Sequence, residues 1–143
     1  MRHIRIRYDD VEVEAVLLDE LAPVTAAALW AHLPFRDRAV SSRWSGDCWR
    51  TELDHRLTDP GTAMENPAEM LGAGDVYYIA DHGAQKYRLG FAWAASRPMQ
   101  PLWVPRVPTV VARVVAGLPA LVARSERLVY EGPRPIELSR IVP

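Results

Sequence analysis

"HIRIRYDDVEVEAVLLDE", residues 3–20, is the stretch that decides the class of fold. Apolar and charged residues alternate on both sides of a central "YDD", first in "HIRIR" and then in "VEVEA". A period of two residues is typical of strands that bury one face. We therefore predict a β-hairpin with strands over His3–Arg7 and Val11–Asp19 and with its turn at the two aspartates between them.

Two segments follow helical spacing instead. The first, "APVTAAALWAHLPF" (residues 22–35), is rich in alanine, carries Pro23 where a first helical turn tolerates proline, and meets Pro34 where a helix must end. The second, "AGLPALVARSE" (residues 116–126), also has a proline in its first turn. We predict helices over Pro23–Leu33 and over residues 117–126.

Short strands account for most of the remaining chain. We predict them from Trp49 onward and in five further segments: "GDVYYIAD" (74–81), "KYRLGFAWA" (86–94), "TVVARVV" (109–115), "RLVY" (127–130) and "IELSRIV" (136–142). About eight strands with two helices inserted between them are typical of a mainly β protein, a closed barrel or a sandwich. A chain of 143 residues is expected to form one domain over residues 1–143. The polar connection at residues 54–74 is long enough to act as a lid or a binding loop.

The composition argues against several classes of protein. The formal net charge is −1 and basic runs are absent, so we expect no nucleic acid partner. No apolar stretch approaches the roughly 20 residues that span a bilayer, and the N-terminus lacks a signal-peptide core, so we expect a cytoplasmic protein without membrane contact. A single cysteine, four scattered histidines and the lack of a glycine-rich phosphate loop predict neither a metal site nor a cofactor.

The most reactive-looking stretch is "SSRWSGDCWRTEL", residues 41–53. Arg43 is the leading polar candidate, because a guanidinium can bind a carboxylate or polarise a carbonyl. The alternative is that Arg43 pairs with Asp47 or Glu52 and holds a bend in the strand. Trp44 and Trp49 are five residues apart, which places them on opposite faces of a regular strand, although a bulge at the intervening "SGD" would bring them to one side.

Further candidates lie on the aromatic strands. Tyr77 and Tyr78 must point in opposite directions, and a phenol such as that of Tyr78 could donate a hydrogen bond to a substrate carbonyl. His82, in a turn, is the histidine to test as an acid or base. Trp93 shares a strand face with three other large residues, and Trp103 lies in the proline-rich segment "SRPMQPLWVPRVP" (96–108), where we expect it to border the main cavity.

The element order and several segments resemble known proteins. "LAPVTAAALWAHLPF" (21–35) and "VVARVVAGLPALV" (110–122) resemble the first helix of cyclophilins and the strand that leads into their second helix. "LPFRDRAVSSRWSGDCW" (33–49) and "ENPAEMLGAGDVYYI" (65–79) resemble a family of small bacterial cyclophilin-like proteins of unknown function, in which arginine-tryptophan-serine-glycine-acid recurs, here as residues 43–47. The resemblance implies an eight-stranded closed barrel capped by two helices.

The chain also departs from these relatives. The small family often has a histidine two residues before the arginine, where this chain has Ser41, and acids near its "GAQKYR" (83–88), which implies a less polar ligand here. Prolyl isomerases carry a phenylalanine-histidine-arginine run that Ser41-Ser42-Arg43 replaces, and their glutamine-glycine-glycine-aspartate run is missing. Prolyl isomerase activity is therefore the weakest of three functional hypotheses.

The first hypothesis is a cofactor-free enzyme that isomerises or cyclises a small apolar or carbonyl-bearing substrate, such as a cycloaddition-type cyclase of bacterial small-molecule biosynthesis. Its catalytic residues would be Arg43 and Tyr78, and the substrate would be held by Trp44, Trp49, Trp93, Trp103 and His82. The second is a non-catalytic module for a small carboxylate or a peptide. A deep aromatic pocket with few charges would favour the first, and a shallow groove exposing Arg43 and Arg106 the second. A small molecule is the expected partner, with a homodimer left open.

Overall fold

The computed structural model describes residues 1–98 and 107–143 of the chain. Eight strands form in this part: β1 (His3–Tyr8), β2 (Val11–Leu17), β3 (Phe35–Ser41), β4 (Gly46–Thr51), β5 (Asp75–Asp81), β6 (Lys86–Ser96), β7 (Thr109–Ala116) and β8 (Arg134–Ile141). Three α-helices accompany them: α1 (Pro23–His32), α2 (Leu118–Ser125) and α3 (Leu128–Glu131). A single 3-10 turn, Arg43–Ser45, precedes β4.

The strands close into an antiparallel barrel in the order β1-β2-β7-β5-β6-β4-β3-β8. The predicted mainly β fold with a closed eight-stranded barrel is therefore confirmed. The hairpin predicted from the alternation at the start of the chain is present as β1 and β2. Ile6 lies opposite Val13 on β2 and Leu138 on β8, and all three side chains are buried inside the barrel.

The helices close the barrel through their apolar faces. Leu29 of α1, Leu121 of α2 and Leu128 of α3 are all buried in the main core. The two longer helices match the predicted ranges to within one or two residues. In the described part of the chain, none of these helices is both long and apolar enough to cross a membrane.

One predicted strand is wrong. The segment "RLVY" forms α3 rather than a strand, because it continues the helical path of α2 after a short turn and buries only Leu128, while Tyr130 is exposed. The strand that completes the barrel is instead β3, which pairs with β4 on one side and β8 on the other. Its sequence, "FRDRAVS", has only a weak apolar alternation, so the pattern did not reveal it.

The connecting loop, residues 52–74, is fastened to both ends of α1. At the N-terminal end, the Glu65 carboxylate accepts hydrogen bonds from the backbone N–H groups of Val24 (3.0 Å) and Thr25 (2.7 Å) and from the Thr25 hydroxyl (2.7 Å). At the C-terminal end, His55 Nδ1 lies 2.8 Å from Nε2 of His32. The loop is thereby held against the helix and is not a free lid.

Candidate functional site

A pocket of about 270 Å³ opens on the outer face of strands β4, β6 and β5. We call it the outer pocket. It is lined by Ser42, Trp44, Ser45, Arg50, Tyr77, Ile79, Asp81, Lys86, Arg88 and Pro98. The pocket therefore combines an aromatic wall and floor with three cationic side chains and one carboxylate.

The floor of the outer pocket depends on a glycine. Gly90 on β6 lies opposite both Arg50 on β4 and Tyr77 on β5, and the Tyr77 ring crosses β6 at this point. A Cβ at residue 90 would lie only 2.3 Å from Tyr77 Cζ and 2.4 Å from the carbonyl oxygen of Trp49. The space left by the missing side chain lets the Tyr77 hydroxyl donate to that same carbonyl at 3.1 Å. Burial raises the pKa of Tyr77 well above its usual value, so the floor is uncharged.

Arg50 is the central cation of the pocket. Its guanidinium lies over the Trp44 ring, 5.2 Å from the centroid, in cation–π geometry. Within residues 1–98 and 107–143 it makes no hydrogen bond and no ion pair, although its side chain is half-buried. Burial lowers the pKa of Arg50, and the charge of Arg88 lowers it further. By contrast, Arg88 has a counterion, because it pairs with Asp54.

The turn before β4 shapes the pocket wall. Gly46 has φ +118°, and a Cβ there would lie 2.9 Å from the carbonyl oxygen of Ala95, so the chain can turn tightly only with glycine at this position. The turn leaves Trp44 70% exposed as the wall of the pocket and buries Ser42 beside it. Ser42 lies close to the Tyr77 hydroxyl at the floor of the pocket.

The structure separates the two tryptophans of the opening motif. Trp44 stands in the outer pocket, whereas Trp49 lies inside the barrel core and donates from Nε1 to the Ser125 hydroxyl at 3.2 Å. The bend at "SGD" therefore does not bring them to one side. Trp93 is buried in the same core as Trp49 and does not line the outer pocket.

Arg43 lies beside the outer pocket rather than in its lining. It is exposed, and its side chain forms neither a hydrogen bond nor an ion pair with any residue that the structure describes. Of its two proposed partners, Glu52 is bound by Arg38 through two 2.6 Å hydrogen bonds. The predicted role of Arg43 at the ligand stays a prediction, with the residue placed at the rim.

Tyr78 and His82 both line a different, smaller cavity of about 100 Å³. Tyr78 faces the barrel interior, and its hydroxyl accepts a hydrogen bond from the backbone N–H of Leu57 at 2.9 Å. His82 Nδ1 lies 2.9 Å from the Tyr87 hydroxyl. The candidate residues thus divide between two cavities and the core. Trp103 and Arg106 lie outside the described residues, and the predictions made for them stand as predictions.

Sequence reasoning missed the residues that make the outer pocket polar, namely Ser42, Arg50 and Arg88. The alternation did place Arg50 and Arg88 on the faces opposite Trp49 and Phe91, which marks them as outward-facing. What the sequence lacked was the register that sets Arg50, Gly90 and Tyr77 side by side across three strands. A glycine within an aromatic strand was the available signal, because it often marks a close approach.

The chemistry available in the site is hydrogen bonding and charge rather than nucleophilic attack. Cys48 is buried, and burial raises the pKa of its thiol, which disfavours the reactive thiolate. Among the described residues, no three His, Cys, Asp or Glu side chains are grouped so that they could hold a metal ion. The guanidinium of Arg50 is the group best placed to bind an oxygen of a ligand.

The sequence matches one family model, described as "Protein of unknown function (DUF3830)", over residues 4–140. Since this range covers nearly the whole chain, the protein belongs to the DUF3830 family. No curated protein matches the sequence at a significant level.

Two solved structures share the fold. The hypothetical protein AF2241 from Archaeoglobus fulgidus superposes with a TM-score of 0.59 at 20% identity, covering 98% of this chain and 95% of that one. McbB, solved in complex with tryptophan, superposes with a TM-score of 0.64 at 19% identity, covering 96% of this chain and 44% of McbB. The chain therefore spans less than half the length of McbB, and at these identities the likeness is one of fold.

Proposed function

We propose that the protein binds a small organic molecule in the outer pocket, with Arg50 donating hydrogen bonds to an oxygen of that molecule. The observation that carries the proposal is a half-buried guanidinium, open to a pocket, with no hydrogen-bond acceptor among the described residues. Buried polar groups without partners are rare in folded proteins, and at the mouth of a pocket a bound ligand can supply the missing acceptor.

The size and lining of the pocket support a small ligand. A volume of about 270 Å³ is just below the range of about 300–1,000 Å³ that holds drug-sized molecules, which suits a compact metabolite. One tryptophan, one tyrosine and four charged side chains line it. This mixture is more polar than the aromatic pocket expected of an enzyme for apolar substrates, and it favours binding through charge and hydrogen bonds.

Catalysis on the bound molecule is the second candidate function. A donor fixed in a partly dry site stabilises negative charge that develops on a carbonyl oxygen, so Arg50 could promote a cofactor-free isomerisation or cyclisation. The fold neighbour McbB holds tryptophan, a small aromatic amino acid. That likeness supports a small molecule as the ligand of this barrel without specifying a reaction.

Membership of the cyclophilin-like superfamily is part of the same proposal. The closed antiparallel barrel, with α1 between β2 and β3 and α2 between β7 and β8, agrees with the arrangement that the sequence resemblance implies. The outer pocket lies directly beside the arginine-tryptophan-serine-glycine-acid motif, since Trp44 and Ser45 line it.

A fragment screen followed by ¹H–¹⁵N NMR tests the binding proposal. We expect fragments that shift the indole N–H signal of Trp44, which is the exposed wall of the pocket. Ser45→Trp should fill the pocket and abolish these shifts. Thr62→Trp, which adds the same bulk beside the smaller cavity, should leave them unchanged. The proposal fails if no fragment shifts Trp44, or if Ser45→Trp, at an unchanged melting temperature, still binds.

Incubation of the strongest ligand with the protein then tests for catalysis. We expect NMR to show a new isomer or ring product, formed about a hundredfold more slowly by Arg50→Lys. Arg36→Lys is the matched control, because the Arg36 side chain is 85% exposed and lies outside the pocket. Recovery of unchanged ligand from the wild type would leave binding as the function.

A further inference from the structure

Resting on the proposed function, we infer that the ligand of the outer pocket is a flat organic carboxylate whose two oxygens are bound by Arg50. The class of ligand follows from the outer pocket of this chain and not from the family, whose function is unknown. Three features of the pocket carry it: an uncompensated positive charge, a fixed guanidinium fork, and an aromatic corner beside that fork.

The charge of the outer pocket is the first feature. Arg50, Lys86 and Arg88 line the pocket together with one carboxylate, Asp81. Arg88 is paired with Asp54, which stands outside the pocket lining. Arg50 shares the longer-range attraction of Asp54 but forms no ion pair with any described residue. A monoanion entering the pocket would therefore pair with the one arginine that the described lining leaves without an ion pair.

The orientation of Arg50 is the second feature. Its guanidinium lies over the Trp44 ring, 5.2 Å from the centroid, and donates no hydrogen bond to any described residue. A guanidinium with a free edge binds a carboxylate through two parallel hydrogen bonds, a geometry that lysine cannot reproduce. Beside it, the Ser42 side chain is buried at the same site, close to the Tyr77 hydroxyl.

The surface next to the fork is the third feature. The Tyr77 ring lies across β6 as the floor, Ile79 extends that floor, and Trp44 rises as the wall. Flat aromatic and aliphatic surfaces of this kind bury a ring or a conjugated chain better than a branched or strongly hydrated group. An aromatic carboxylate would place its ring in this corner and its charge on Arg50.

Matched pairs of aromatic carboxylates and their uncharged amides test this inference. We would titrate benzoate against benzamide, and indole-3-carboxylate against indole-3-carboxamide, by calorimetry at low salt. In the wild type each acid should bind about tenfold or more tightly than its amide, since hydrogen bonds to charged groups exceed neutral ones by roughly that factor. Phenyl phosphate is the third arm. A guanidinium fork can pair two oxygens of either anion, but the tetrahedral phosphate would leave its third, strongly hydrated oxygen against the flat Tyr77 and Trp44 surface, so it should bind more weakly than benzoate.

Three variants locate the preference. Arg50→Gln should remove the acid-over-amide preference, Arg50→Lys should retain only part of it, and Arg36→Gln, which removes the same charge from an exposed site, should keep it. Equal binding of acids and amides by the wild type would overturn the inference, as would a preference that survives Arg50→Gln or tighter binding of phenyl phosphate.

The result also separates this inference from the proposed function. If amides or other neutral fragments shift the Trp44 signal and acids bind no better, the pocket binds small molecules but the carboxylate assignment is wrong. If neither acids nor amides nor any screened fragment shifts that signal, the proposed function itself fails.

Discussion

Two polar clusters of this barrel differ in how completely their groups are paired. In the first, Asp37 accepts hydrogen bonds at 2.6 Å from His55 and from the Arg38 backbone, and at 3.2 Å from Leu53, while His55 also meets His32. The Asp37 side chain is only 1% exposed. In the outer pocket, Arg50 has neither a hydrogen-bond acceptor nor an ion pair in the described chain. Paired buried groups hold the connecting loop in place, and unpaired ones at a pocket indicate a binding site.

The largest expected effect on stability comes from removing Asp37 from its cluster with His55 and His32. Asp37→Ala would leave the 8% exposed His55 side chain and two backbone N–H groups without their acceptor. We expect a loss of about 3–5 kcal/mol in the free energy of unfolding, the range for removing one partner of a buried pair. Urea denaturation measures it. Asp59→Ala, at a carboxylate whose side chain is 90% exposed, should change stability by no more than about 0.5 kcal/mol. Equal effects of the two changes would show that the cluster does not hold the loop.

A smaller effect is expected at the floor of the outer pocket. Gly90→Ala would press a methyl group against the Tyr77 ring and the Trp49 carbonyl, so one of them must move. Overpacking of this kind costs about 1–3 kcal/mol, and we expect the Trp44 NMR signal to shift as the floor moves. Gly72→Ala is the control for added bulk, because its backbone is outside the left-handed region and the nearest atom to a Cβ there is Asp75 Oδ2 at 4.0 Å. A stable Gly90→Ala protein with unchanged Tyr77 and Trp44 signals would contradict the close approach.

Acid should weaken the contacts of the connecting loop in two stages. Burial, and then His55, lower the pKa of His32 from 6.5. Burial alone would raise the pKa of Glu65, but hydrogen bonds from Val24 and Thr25 lower it from 4.5. In both cases the pKa in the folded state is below that in the unfolded state. The contribution of His32 to stability is therefore present above pH 6.5 and that of Glu65 above pH 4.5, and each is lost as the pH falls through the folded-state pKa.

Urea denaturation between pH 8 and about pH 2 measures both stages. His32→Gln should remove the stage that begins near pH 6.5, and Glu65→Gln should remove the stage that begins near pH 4.5. A pH profile that is the same in wild type and both variants would show that other groups govern the acid response.

The smallest effect on stability is expected at Arg50 of the outer pocket. Arg50→Gln removes a cation that is repelled by Arg88 and forms no ion pair in the described chain, so the free energy of unfolding should change by no more than about 1 kcal/mol. Thermal unfolding in the absence of ligand measures this. A loss as large as that of Asp37→Ala would mean that Arg50 is a structural residue and would remove the contrast between the two clusters.

The barrel was predictable because its signal is local. Alternation within residues 3–17 fixes which side chains of β1 and β2 face inward, and Pro23 and Pro34 bound α1 without reference to the rest of the chain. The error at residues 127–130 has a physical reason as well, since four residues are too few to separate a strand period from a helical one.

The site was less predictable because it depends on contacts between residues that lie far apart in the sequence. The alternation of side chains along a strand showed that Tyr77 and Tyr78 point in opposite directions, but it did not show which of them faces the core. Whether Arg50 has a partner depends on Arg88, Asp54 and Trp44, which reach it from other strands and turns. Arg43 was preferred because it begins a recognisable motif, yet the turn of the chain at Gly46 places its neighbour Trp44 in the pocket instead.

Because residues 52–74 are hydrogen-bonded to both ends of α1, the connecting loop and the helix should unfold together. A ten-residue helix is marginal by itself, so α1 would fray readily if only its own hydrogen bonds held it. With Glu65 bound to its first turn, His55 to its last and Leu29 packed in the barrel core, α1 can leave the barrel only when the loop contacts break as well. The amides of α1 and those of the loop should therefore exchange with deuterium as one cooperative unit.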